Sequence, residues 1–163
     1  MTSYPDGPPR SGAPAPAAGA ARTLRALRRA LFLLLVAGLV GTALELLLME
    51  HIGDWWQRIP LILIGGALGV LLWYRVAKSG TSLQALRIVM VLFLASAAGG
   101  VVLHAKGNRE FALETTPGLA GREMIAEMLT GAFPALAPGT MALLGLIGLL
   151  ATWTPPPPPG SGE

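Results

Sequence analysis

The chain has 163 residues, a net charge of +3, 53% apolar and 13% charged residues, and no cysteine. A soluble domain carries about 25% charged residues, and here the apolar residues come in long blocks instead of helical or strand stripes. That excludes an ordinary globular domain and describes an all-α integral membrane protein, while the lack of cysteine excludes disulfides, zinc–thiolate sites, iron–sulfur clusters and thiol nucleophiles.

Residues 1–21 are rich in Pro, Ala, Gly and Ser, cannot bury enough apolar surface to offset ordering entropy, and read as a disordered tail. Residues 22–154 read as a membrane domain with four spans, at about 24–51, 60–77, 83–104 and 132–153. The first span follows Arg22, Arg25, Arg28 and Arg29. That basic start with Leu31 to Ala37 resembles a signal peptide, and Gly41-Thr42-Ala43 weakly imitates a cleavage site. Three further spans follow it, so an uncleaved first helix is the reading adopted.

The basic residues lie at the ends of the apolar blocks, which assigns them to membrane orientation and argues against nucleic acid as a partner. Arg10, Arg22, Arg25, Arg28, Arg29, Arg75, Lys78 and Arg87 fall on one side, against Arg58, Lys106, Arg109 and Arg122 on the other. Eight against four places both termini in the cytoplasm of a cytoplasmic (inner) membrane protein. Trp55 and Trp56 then mark the outer interface, and Trp73, Tyr74 and Trp153 the inner one.

Residues 119 to 153 as one helix would measure about 50 Å against a hydrocarbon core of about 30 Å. Pro134 and Pro138 each remove a backbone donor, so the fourth helix is expected to kink or break there. A short interfacial helix from Leu119 to Gly131 precedes it, with Met124, Ile125, Met128 and Leu129 on its apolar side and Glu123 and Glu127 on another. Residues 155–163 form a second, Pro-rich cytoplasmic tail with a polyproline II bias.

Lipid gives helices no hydrophobic reason to associate, so small residues must let them approach closely. Gly65 and Gly69 form a GxxxG pair, Ala95 with Gly99 and Ser96 with Gly100 form small-xxx-small pairs, and Gly38, Gly41, Gly145 and Gly148 add further points. An up-down four-helix bundle is the simplest arrangement. Its partners are the lipid bilayer and, through leftover glycine faces, a homo-oligomer or a larger membrane complex.

Under this topology Glu45, Glu50, His51, Asp54, His104, Glu110, Glu114, Glu123 and Glu127 all lie at or near the outer face. Glu45 carries the most information, because a carboxylate inside unbroken apolar helix costs about 2.5–3.5 kcal/mol unless protonated, paired or solvated. Its expected partners are His104 and Asn108, four residues apart on one helical face. His51 and Asp54 stand at a spacing that lets a carboxylate orient an imidazole.

Several chemistries use this set. Glu45, His51, Asp54, His104 and Glu110 offer oxygen and imidazole ligands to a divalent cation such as zinc or manganese. His51 and His104 are the minimum for axial ligation of a b-type haem. Glu45 beside a proline-broken helix suits ion- or proton-coupled transport by a small oligomer. In the plainest reading the charges form outer-surface salt bridges that hold loops against the bundle.

Nucleophilic catalysis is unsupported, since Ser96 has no base adjacent in sequence, and Thr130 and Thr140 are expected to satisfy carbonyls freed by the prolines. The sequence therefore describes a small polytopic membrane protein, a non-enzymatic accessory or structural component with an acidic/His cluster at its outer face.

Overall fold

The computed structural model describes residues 15–50, 53–133 and 138–153. Among them are five α-helices and no strand: α1 Ala15–Leu48, α2 Trp55–Ala77, α3 Gly80–Thr115, α4 Gly121–Thr130 and α5 Gly139–Ala151. Three of these, α1, α2 and α3, are long and apolar enough to cross a membrane. Only 11%, 17% and 22% of their most apolar windows are buried within the protein, so most of that surface would have to meet lipid.

α1 begins at Ala15, inside the stretch expected to be a tail, because alanine is the strongest helix former and dominates residues 15–21. Its end is reversed by Glu50, which adopts a left-handed φ of 52°. α2 and α3 are joined by Lys78 and Ser79 alone. Lys78, at φ 48°, donates its N–H to the Tyr74 carbonyl at 3.0 Å, and the Ser79 hydroxyl accepts the Ser82 N–H at 3.1 Å to cap α3.

α3 does not stop at His104, where the apolar block ends; it continues to Thr115 and measures about 54 Å. A turn follows in which Leu119 donates to the Thr116 carbonyl at 3.2 Å. Pro117 and Gly118 occupy its central positions, and Gly118 supplies the φ of 95° that a side chain would resist. α4 then folds back onto the extended end of α3, with Met124 and Met128 half-buried and Ile125 and Leu129 exposed.

α5 packs against both α1 and α3, while α2 packs against α3 and more sparsely against α1. α5 is antiparallel to both partners. The Arg28 guanidinium donates to the Trp153 carbonyl at 2.7 Å, and Leu35 lies beside Gly148 and Leu144 beside Gly38. On the other side Arg87 donates to the Thr152 carbonyl at 2.5 Å, Met90 lies beside Gly145 and Gly148, and Pro138 lies beside Gly100.

These contacts define a basic end, to which the Phe32–Tyr74 ring stack at 5.9 Å also belongs. The core of Leu35, Leu39, Ile64, Ala67, Leu71, Leu86, Met90, Phe93 and Leu144 sits between that end and the middle of the helices.

The two arginines have a structural role. The last carbonyls of a helix have no partner within it and carry partial negative charge, and Arg28 and Arg87 supply guanidinium donors to that end of α5 from two different helices. A hydrogen bond from a charged donor contributes about 1.5–3 kcal/mol. Arg87→Met should therefore lower the unfolding midpoint in detergent micelles more than Arg28→Met does, since the Arg87 bond is partly buried and the Arg28 bond exposed. Circular dichroism during heating is the measurement; an unchanged midpoint in both variants would remove the capping role.

Three packing expectations need correction. Gly65 and Gly69 have nothing within 4 Å of where a Cβ would stand, and the same holds for Gly41 and Gly99. The expected close approaches at Gly38, Gly100, Gly145 and Gly148 are present, and all four involve α5 or the Pro138 that precedes it.

Candidate functional site

Measured along α3 at about 1.5 Å per residue, α5 accompanies the helix from Arg87 to Gly100, about 20 Å. Beyond that point, among the described residues, α3 is accompanied by residues 131–133 and by α4. Residues 131–133 are irregular, Phe133 lies beside Gly107, and Pro138 occupies the N-cap of α5. Pro134 lies outside the described residues.

Non-helical backbone needs partners for its polar groups, and Asn108 provides them. It is 1% exposed, and its Nδ2 donates to the Phe133 carbonyl at 2.7 Å and the Met128 carbonyl at 3.1 Å. Its Oδ1 accepts the Phe133 N–H at 2.7 Å. A reversed amide would set donor against donor, so this network determines the amide's orientation. The amide thus stitches the end of α4 and the following segment to α3. The approach is tight, because a Cβ on Gly131 would stand 3.0 Å from the Asn108 Cγ and 2.5 Å from the Glu127 carbonyl oxygen.

Asn108 is therefore not the partner of Glu45 that the sequence suggested. Thr130 is not a partner of freed carbonyls either, since its hydroxyl donates back within α4 to the Ala126 carbonyl at 2.9 Å. The segment is held by an amide from a neighbouring helix, and the Lys106–Glu110 ion pair at 3.7 Å joins two exposed residues of α3 without bridging elements.

Because α5 starts only at Gly139, no helix among the described residues fills the space between α1, α2 and α3 at the acidic end. A groove of about 1420 Å³ results, walled by the end of α1, the start of α2, the Ala95–Gly107 part of α3 and the start of α5. Its lining is mainly apolar, with Thr42, Glu45, Asp54, Gln57, Ser96, His104 and Thr140 among its polar members. Among the described residues none of the lining side chains is Lys or Arg.

Glu45 of α1 and His104 of α3 both line this groove. The Glu45 side chain is exposed and has no hydrogen bond or ion pair among the described residues. His104 is half-buried, and its Nδ1 is buried with no hydrogen-bond partner. A buried unpaired acceptor is more readily tolerated than a buried unpaired N–H, so the tautomer protonated at Nε2 suits this position.

The remaining predicted ligands separate. Asp54 precedes α2 as its N-cap, with its backbone N–H donating to the Gln57 Oε1 at 3.3 Å. Glu110 is exposed on the α3 extension, outside the groove lining. His51 lies outside the described residues, and with it both the His51–Asp54 pairing and the His51–His104 haem arrangement. Among the described residues, no three His, Asp or Glu side chains gather as a metal site.

Sequence reading missed Trp56, Gln57 and Pro60 as groove residues and the capping roles of Arg28 and Arg87. No signal in the sequence separates a capping arginine from an orienting one. The chain matches no family model, no curated protein and no solved structure. The site's geometry and chemistry therefore carry the functional reading.

Proposed function

We propose that the chain is a four-pass integral membrane protein of the cytoplasmic membrane, with both termini cytoplasmic, that works as a non-enzymatic accessory component through the groove at its acidic end. The observation that carries this reading is the path of residues 131–133 and 138–153 beside α3. From Arg87 to Asn108 that path spans about 31 Å, the thickness of a hydrocarbon core. The fourth pass would then combine a helix of 13 residues with the irregular backbone of residues 131–133.

Irregular backbone at membrane depth is tolerated where protein covers it and satisfies its polar groups, which is the service Asn108 performs. The contacts of α1 with α2, α2 with α3, α3 with α5 and α5 with α1 support an up-down bundle in the order α1, α2, α3, α5. α4 would lie at the outer interface, with Ile125 and Leu129 toward lipid.

A chain without cysteine is suited to site-directed labelling. Glu123→Cys should react with an impermeant maleimide on intact spheroplasts, whereas Thr81→Cys and Ser161→Cys should react only after permeabilisation. Labelling of Ser161→Cys from outside would leave three passes and sink the reading.

The gap between α4 and α5, whose Phe133 and Pro138 line the groove with Glu45, also favours a second reading, coupled ion transport by an oligomer, because broken helices beside intramembrane carboxylates mark transporter sites. Proton or cation flux into vesicles, abolished in Glu45→Gln, would support it; no flux in the unsubstituted protein would end it.

A further inference from the structure

The groove is larger than the roughly 300–1,000 Å³ of drug-sized pockets. Its walls are mostly apolar, with Leu46, Met49, Val102, Leu103 and Phe133 among them, so an occupant needs a long apolar part. The polar members limit its head. Glu45 and Asp54 bring two carboxylates, and no Lys or Arg lines the groove among the described residues.

A phosphate or carboxylate head would meet like charge at short range in a medium that screens poorly. An ammonium head carries three donors and no acceptor. It meets what Glu45 lacks, since an unpartnered carboxylate at this depth costs about 2.5–3.5 kcal/mol.

We infer that the groove binds a long-chain amphiphile with a primary amine head, the ammonium seated against Glu45 and Asp54 and the chain lying along the α3 wall. This rests on the four-pass reading, which places the groove in the outer leaflet. The groove exists because α5 is short, and the charge that selects the head comes from α1 and the start of α2. Neither helix alone makes the site.

Trp56 lines the groove, whereas the other tryptophans do not, which supplies a local probe. The full chain carrying Trp55→Phe, Trp73→Phe and Trp153→Phe is reconstituted in phosphatidylcholine vesicles, and quenching of Trp56 is followed with brominated lipids. Dibromo-octadecylamine should quench saturably and be displaced by unbrominated octadecylamine. Dibromo-octadecanoate and dibromo-phosphatidylcholine should quench only in proportion to their mole fraction.

Glu45→Gln should weaken the amine about tenfold, the loss expected for one charge-assisted hydrogen bond. Glu110→Gln removes an equal charge outside the groove and should leave the affinity unchanged.

Equal saturable binding of the amine and the carboxylate would show a furrow filled by any acyl chain and overturn the proposal. So would dibromo-octadecanol matching the amine, or Glu110→Gln weakening it as much as Glu45→Gln does. The head-group comparison needs no groove substitution, so it decides even if Glu45→Gln misfolds. Quenching by none of the lipids, the bulk phosphatidylcholine included, would place Trp56 outside the bilayer and remove the four-pass reading as well.

Discussion

Asn108→Ala should be among the most damaging single substitutions in this chain, lowering the thermal midpoint in micelles by roughly 10 °C. The substitution leaves the carbonyls of Met128 and Phe133 and the N–H of Phe133 without their partner. Each unpaired buried group costs about 1–3 kcal/mol, so the combined loss should reach about 3–5 kcal/mol. At this chain length about 2–4 °C of midpoint corresponds to each kcal/mol.

Asn108→Asp is the sharper test, because it keeps the shape and one acceptor. Its carboxylate would face the two carbonyls that the amide nitrogen now serves, so it too should be strongly destabilised at neutral pH. Heating followed by circular dichroism measures both variants. An Asp variant as stable as the parent would show that water or another donor already serves those carbonyls, and the stitching role would be lost.

The second large effect is a difference of sign between identical substitutions. In Gly145→Ala the new Cβ would stand 2.8 Å from the Met90 carbonyl oxygen and 3.1 Å from the Leu94 Cδ2. The oxygen belongs to the backbone of α3 and cannot swing aside, so α5 must move away, at a cost of about 1–3 kcal/mol. Gly65→Ala and Gly69→Ala meet nothing within 4 Å. They should be neutral or stabilising by up to about 1 kcal/mol, the helix preference of alanine over glycine.

Gly148→Ala should fall between these, because the obstacle there is the flexible end of the Met90 side chain. Midpoints of the four variants in one detergent make the comparison. Equal losses at Gly65 and Gly145 would mean that the face of α2 carrying Gly65 is also packed, as in an oligomer.

The contrast shows where sequence reading reached its limit. GxxxG at Gly65 and Gly69 has the spacing of a close-packing motif, yet its face is open; Gly145 and Gly148 lack that spacing and make the tight contacts. Small residues permit close approach but do not say which helix arrives. α5 starts directly after Pro138, where a proline at the N-cap needs no donor and a helix through it would lose one.

Glu45 was legible as a carboxylate out of place. Its companions were not: Asn108 was taken by the backbone of residues 128 and 133, and His104 shares the groove without a hydrogen bond to report it.

By itself the sequence determined the apolar blocks, the basic bias of one end and the short helix that is α4. All of these follow from local chemistry: hydrocarbon content and charge. Tertiary structure alone decided which glycines are contacted, which arginines cap α5, where Asn108 bonds, and that Glu45 and His104 line one groove. The physical reason is that helices apolar all round have no polar face to reveal their rotation. Helix rotation and register are then settled by the packing of neighbouring side chains, over distances that no local pattern records.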